Sequence, residues 1–172
     1  MRNYLDMLVA STGAILAWVW YLCREKFDDI CHVINRRILK DLHDRVIHPF
    51  LEHTDELYWM GYPPNYWVNN WCPWIISNVL NVCAMTVTDR DEWERVVQIS
   101  LTGLDRFVRM YEEDGACDEG PAYWCSAGGS LYNACLVLRD MTGGRWNPFD
   151  HSLMRSLSVN PTSMQKGIGN EI

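Results

Sequence analysis

Two stretches of this 172-residue chain carry side chains of a type and spacing suited to chemistry on an acidic substrate. The first is Asn69-Asn70-Trp71, at the end of a long aromatic loop. A carboxamide donates hydrogen bonds to a carboxylate without bringing a formal charge into the site, so it offsets negative charge locally. An Asn at a helix entry also serves as its cap, and two adjacent Asn residues can divide the roles. The second stretch runs from Glu112 to Trp124, with Glu113, Asp114, Asp118 and Glu119 before a Gly120-Pro121 turn and Tyr123. That turn presents Tyr123 in a defined position. A phenol, with a pKa of about 10, acts as a base at neutral pH only when a positive group or a hydrogen-bond donor lowers that value. Acidic side chains ahead of a helix are also favoured by its dipole, which makes part of this loop a cap.

The elements that must position these residues read as helices. Apolar residues recur with the helical period, and no alternation of period two is long enough for a strand. The predicted helices run roughly from Leu5 to Cys23, Phe27 to Ile47, Trp71 to Cys83, Asp89 to Tyr111 and Trp124 to Met141. In the second, Ile30, Ile34, Ile38, Leu42 and Val46 share one face, and Pro49 ends it. Pro73 falls in the first turn of the third, where proline is tolerated. Asp89, with Glu92 three residues on, is a capping-box-like start for the fourth. Gly143-Gly144 stops the fifth. The fold class is therefore all-α, and alternating short and long connections suggest antiparallel hairpins about a common axis, a pattern shared by toroid arcs, solenoids and bundles.

Between Glu52 and Asn70 the connection is long for a compact domain and carries Tyr58, Trp59, Tyr62, Tyr66 and Trp67. Loops of that length tend to be functional, and aromatic faces stack on the C–H faces of sugar rings. Folding back as a plug over the helix ends is the simpler role for any one ring. His53 opens this loop and is the best placed of the histidines; His32 and His43 fall in the second helix and His48 flanks its end. Residues 1–150 form the expected domain. After Arg145 the composition shifts to Asn, Pro, Ser and Gly, and an irregular or frayed tail is expected over 151–172.

A net charge of −7 argues against nucleic acid and anionic membrane as partners, since both are bound through clustered Lys and Arg. The basic run Arg36, Arg37, Lys40 and Arg45 is interrupted by Asp41 and Asp44 and reads as a solvated helix face. Seven Cys show no CxxC pair and no His at zinc-ligand spacing, so they read as small core residues and call for no metal. From Met7 to Cys23 the chain is almost uncharged. The run is short for a membrane span, contains Ser11-Thr12-Gly13, and has no basic n-region or cleavage site, which points to a fully buried helix.

Taken in order, Leu51-Glu52-His53, Tyr58-Trp59-Met60-Gly61, Asn69-Asn70-Trp71-Cys72-Pro73-Trp74 and the run from Asp114 to Trp124 resemble the heparinase II/III-like and alginate-lyase family of polysaccharide lyases. The resemblance covers roughly Leu5 to Asp150, the α/α-toroid portion of that family. It implies an incomplete (α/α) toroid, β-elimination of uronic-acid polysaccharide without a cofactor, and a periplasmic or secreted setting. It makes Asn70 the carboxylate-neutralising residue and Tyr123 the proton-transferring one, with His53, Tyr66, Trp67, Asn69, Trp71, Glu119 and Trp124 around the substrate. The chemistry needs both roles, because the proton removed lies next to a carboxylate whose developing charge must be stabilised by donors.

The chain departs from the family pattern in two ways. Trp71 stands where some members carry His after the paired Asn. The β-sandwich that supplies a further His and closes the cleft has no counterpart, so the resemblance implies a fragment whose missing partner is that domain. Two other readings stand beside the lyase. A toroid glycoside hydrolase would use two of Asp114, Asp118 and Glu119, although residues so close in sequence rarely face each other across a sugar. In a non-catalytic carbohydrate-binding or scaffold domain, the aromatic loop would bind and Asn70 would only cap.

Overall fold

The computed structural model describes residues 4–52, 57–61, 67–111, 113, 115, 117, 120 and 123–157. Among them the chain is all-helical, with a lone antiparallel bridge between Met60 and Val68.

Helix α1 (Met7–Ile30) starts where the Asp6 carboxylate accepts from the Val9 N–H at 2.8 Å, which satisfies an orphan donor and complements the helix dipole. Its buried residues are Ala10, Gly13, Ala14 and Ala17. This small-residue face brings the α1 backbone close to α4 (Trp71–Thr86), and Trp74 Nε1 donates to Ser11 Oγ at 3.1 Å across the contact. The large side chains point away, with Leu8 74%, Leu22 72% and Ile15 66% exposed. The helix is therefore not fully buried as expected. An apolar run does not reveal which of its faces a neighbour will take, and here the small residues were taken. By length and composition α1 is apolar enough to cross a membrane, at a mean hydropathy of 1.4, with 22% of that window buried.

The second expected helix is divided. Phe27 to Ile30 belong to the end of α1, Cys31 is extended, and α2 (Val33–Leu42) begins after it. A π-helical turn (His43–Ile47) follows, then α3 (His48–Glu52). Pro49 does not end the helix; it is buried inside α3. A proline removes an i→i−4 bond, and the π turn has already shifted the hydrogen-bond register there, with the His48 N–H reaching the His43 carbonyl. Of the expected stripe, Leu42 and Val46 are buried, while Ile30 is exposed beyond the break. Arg37–Asp41 at 2.8 Å, Lys40–Asp44 and Arg45–Asp41 at 3.9 Å form ion pairs four residues apart on solvent, so the basic run is a solvated face.

Central α4 packs against α1, α5 and α6 and is the spine of the core. Ile75, Ile76, Val79, Leu80, Val82 and Cys83 along it are wholly buried. Helix α5 (Arg90–Met110) starts at Asp89, whose side chain accepts from the Glu92 N–H at 2.8 Å. A second π turn (Cys125–Gly129) leads into α6 (Ser130–Met141), and Gly143 and Gly144 end it with positive φ. A 3-10 turn (Pro148–Asp150) comes next. Residues 152–157 are then helical and bury Leu153, Met154 and Leu157. The irregular tail expected from residue 151 is thus ordered as far as 157, because these three apolar residues share one helical face.

Cys23, Cys31, Cys72, Cys83, Cys117 and Cys135 are free thiols. Burial pushes Cys83 and Cys135 up to about 12 from the ordinary 9.0, and raises Cys72 further still. Below pH 9.0 the folded and unfolded chains both keep the Cys83 and Cys135 protons. Above it only the unfolded chain releases them, so stability falls as pH rises toward the folded values. Denaturant midpoints should be lower at about pH 10 than at about pH 8, and the drop should shrink in Cys83→Ala. A second prediction comes from Gly103 in α5, where an added Cβ would lie 2.6 Å from Met60 Cε and 2.7 Å from Ile76 Cδ1. Gly103→Ala should cost about 1–3 kcal/mol through overpacking, measured by urea unfolding.

Candidate functional site

The aromatic loop returns to the core after α3. Leu57, Trp59 and Met60 are buried there, and Arg106 Nη1 donates to the Met60 carbonyl at 3.0 Å. With the Met60–Val68 bridge, these contacts pin both ends of the loop to α5. Trp59 is a plug, the simpler role open to these rings. Tyr58 and Trp67 are exposed, and the Tyr58 ring lies 6.0 Å from that of Trp71, which is partly buried against the core. Tyr62, Tyr66 and His53 lie outside the described residues.

At the entry to α4 the two Asn residues divide their roles. Asn69 Oδ1 accepts from the Trp71 N–H at 3.1 Å and so caps the helix. Asn70 has a helical backbone (φ −58°, ψ −19°), its carbonyl accepts from the Trp74 N–H at 3.3 Å, and its side chain makes no capping bond. That side chain is 6% exposed and forms no hydrogen bond among the described residues.

Asn70 opens on a small cavity of about 70 Å³. Its polar lining is Asn69, Asn70, Tyr111 and Cys117; Val68, Phe107, Met110 and Ala127 form apolar walls, and exposed Trp67 stands at its edge. No Asp, Glu, Lys, Arg or His lines it among the described residues. A water in the liquid occupies about 30 Å³, so the space takes roughly two waters or one carboxylate group, not a sugar ring. A larger cavity of about 590 Å³ lies between α5 and residues 146–154, but its lining is mainly apolar and includes neither Asn nor Tyr of this group. The smaller cavity is the better candidate because both Asn69 and Asn70 line it.

Tyr123 stands outside it. The phenol is half-exposed, and the Tyr123 N–H donates to the Gly120 carbonyl at 3.1 Å, after the Gly120 N–H has donated to Cys117 at 2.8 Å. These two hydrogen bonds set the approach to the second π turn. Trp124 follows with its indole nitrogen buried and without an acceptor among the described residues. Asp114, Asp118 and Glu119 lie outside those residues. Gly115 does not: its φ is +80°, and a Cβ there would meet the Ser156 carbonyl carbon at 2.7 Å and the Leu157 nitrogen at 2.8 Å. Only glycine satisfies both the left-handed backbone and that close approach.

Thus the structure places Asn70 with Asn69 and Trp67, leaves Trp71, Tyr123 and Trp124 outside that lining, and adds Tyr111 and Cys117, which sequence reasoning passed over. A signal for Tyr111 was present. It continues the buried α5 face of Leu104 and Phe107 by the helical period, and it is the last residue before the acidic loop.

The division of labour predicts different costs. Asn69→Ala should lose about 1 kcal/mol through the missing cap, while Asn70→Ala should lose clearly less, since no capping bond goes with it. Thermal melts of both variants check this; equal losses would make Asn70 a second cap. No protein-family model and no curated protein matches the chain.

Proposed function

We propose that the chain is the substrate-gripping helical part of a polysaccharide lyase acting on uronic-acid polymers, arranged as an arc of an (α/α) toroid of the heparinase II/III-like kind. One observation carries this reading: Asn70 is buried, does no capping, and opens on a cavity of neutral donors sized for a carboxylate. The uronate carboxylate enters this cavity, and the Asn70 amide donates to it. As the proton on the adjacent ring carbon leaves, charge grows on the carboxylate oxygens, where a donor held in place lowers the barrier most. Tyr123 is the residue that the resemblance assigns to take that proton. The C–H electrons form the new C=C bond, the glycosidic C–O bond breaks, and the departing oxygen takes a proton. A β-sandwich in the parent chain would close the cleft over this half.

Incubation of the longer parent chain with alginate, and separately with heparan sulfate, should release an unsaturated product absorbing in the near ultraviolet. Asn70→Ala should slow it by about 10²–10³ and Tyr123→Phe by about 10²–10⁴. Reducing ends without that chromophore would rule out elimination. Loss of activity in Asp118→Asn but not in Tyr123→Phe would establish hydrolysis instead.

The exposure of Tyr123 outside the Asn70 cavity favours a second reading, a non-catalytic carbohydrate-binding helical domain. Glycan binding retained in the Asn70→Ala, Tyr123→Phe double variant, with no turnover in any form, would establish it.

A further inference from the structure

One side chain touches both halves of this site. Tyr111 ends α5, lines the Asn70 cavity, and packs its ring on Phe107 with centroids 5.2 Å apart. Its hydroxyl is buried and reaches Gly128 in the second π turn, 3.1 Å from where a Cβ would stand. Trp124 Nε1 comes within 3.3 Å of the same point. The space left by the missing Gly128 side chain is thus shared by Leu157 Cδ2, at 2.6 Å, and the polar ends of Tyr111 and Trp124, and Trp124 directly follows Tyr123.

We propose that Tyr111 is a positioning residue that couples the Asn70 cavity to the Tyr123-Trp124 turn. A carboxylate entering the cavity presses on the Tyr111 ring. The ring is rigid, so its displacement appears at the far end, at the hydroxyl beside Trp124 and Gly128. The turn carrying Tyr123 therefore sets according to whether the cavity is filled. This deepens the lyase reading and rests on it, since it takes the cavity to be the carboxylate subsite. Packed side chains transmit such shifts when the element they reach has two arrangements, and we take the second π turn, a form that recurs at functional sites, to be that element.

The experiment is NMR of the ¹⁵N-labelled chain, following the Asn70 side-chain amide and the Trp124 indole N–H during titration with an alginate tetrasaccharide. Cellotetraose, which has no carboxylate, is the control. In the wild type both signals should shift along one binding curve, and cellotetraose should move neither. In Tyr111→Phe, which keeps the ring, the Asn70 shift should persist and most of the Trp124 shift should vanish. Gly128→Ala crowds the same point from the other side and should uncouple the two signals in the same way; it serves if Tyr111→Phe does not fold. An Asn70 shift without a Trp124 shift in the wild type overturns the coupling and leaves the carboxylate subsite standing. So does a Trp124 shift that survives both substitutions. If alginate moves neither signal, the subsite reading fails and the coupling falls with it.

Discussion

The close approach at Gly103 fixes the rest of the structure. With no side chain there, Met60 from the aromatic loop, Ile76 from α4 and the Cys72 sulfur all converge on the α5 backbone, and Cys72 Sγ donates to the Gly103 carbonyl at 3.4 Å. Three segments distant in sequence are thereby held in one register. Cys72 lies two residues after Asn70 and Met60 anchors the loop before it, so the depth of the Asn70 amide is set by how near α4 comes to α5. Interiors are close-packed and do not deform continuously, so there is little freedom to readjust that depth. Arg106, one turn of α5 further along, adds a polar tie to the same place through the Met60 carbonyl.

Such a site suits the acidic polymer proposed as substrate, even though the protein is itself acidic. At a net charge of −7 the long-range field repels a polyanion, but at physiological salt charges are screened over about 8 Å. Recognition then falls to contacts at hydrogen-bond distance. Neutral donors in a small cavity suit this, because they recognise a carboxylate without a cation that would have to be desolvated in turn. The described lining of the Asn70 cavity contains only such groups.

Much of the fold was legible because the signals were local. Asp89 with Glu92, Pro73 within a first turn, and Gly143-Gly144 each placed a helix end correctly, since capping and backbone restrictions act over a few residues. Misreadings arose where the outcome depended on a partner. The run from Met7 to Cys23 is uniformly apolar, and only the approach of α4 selected its small-residue face. The helix through Pro49 depends on a π turn that no residue type marks. The Asn69 cap was legible by the same rule. Asn69 and Asn70 announce themselves as a pair at a helix entry, and their division of labour follows from adjacency. Tyr111 looked like the end of a stripe, because its nearness to Gly128 and Asn70 is a property of the packing between α5 and the second π turn.

Gly115 makes the acidic loop depend on residues far downstream. Its backbone lies directly against Ser156 and Leu157, and Leu157 also reaches Gly128, so the last described helical segment is a wall for both the loop and the second π turn. During ribosomal synthesis that wall appears about forty residues after the loop it supports. At about 5–20 residues per second the loop waits roughly 2–8 s without it. Helices α1 to α5 can pack in that interval, but Gly115 meets the backbone of Ser156 and Leu157 only once the nascent chain has grown past residue 157.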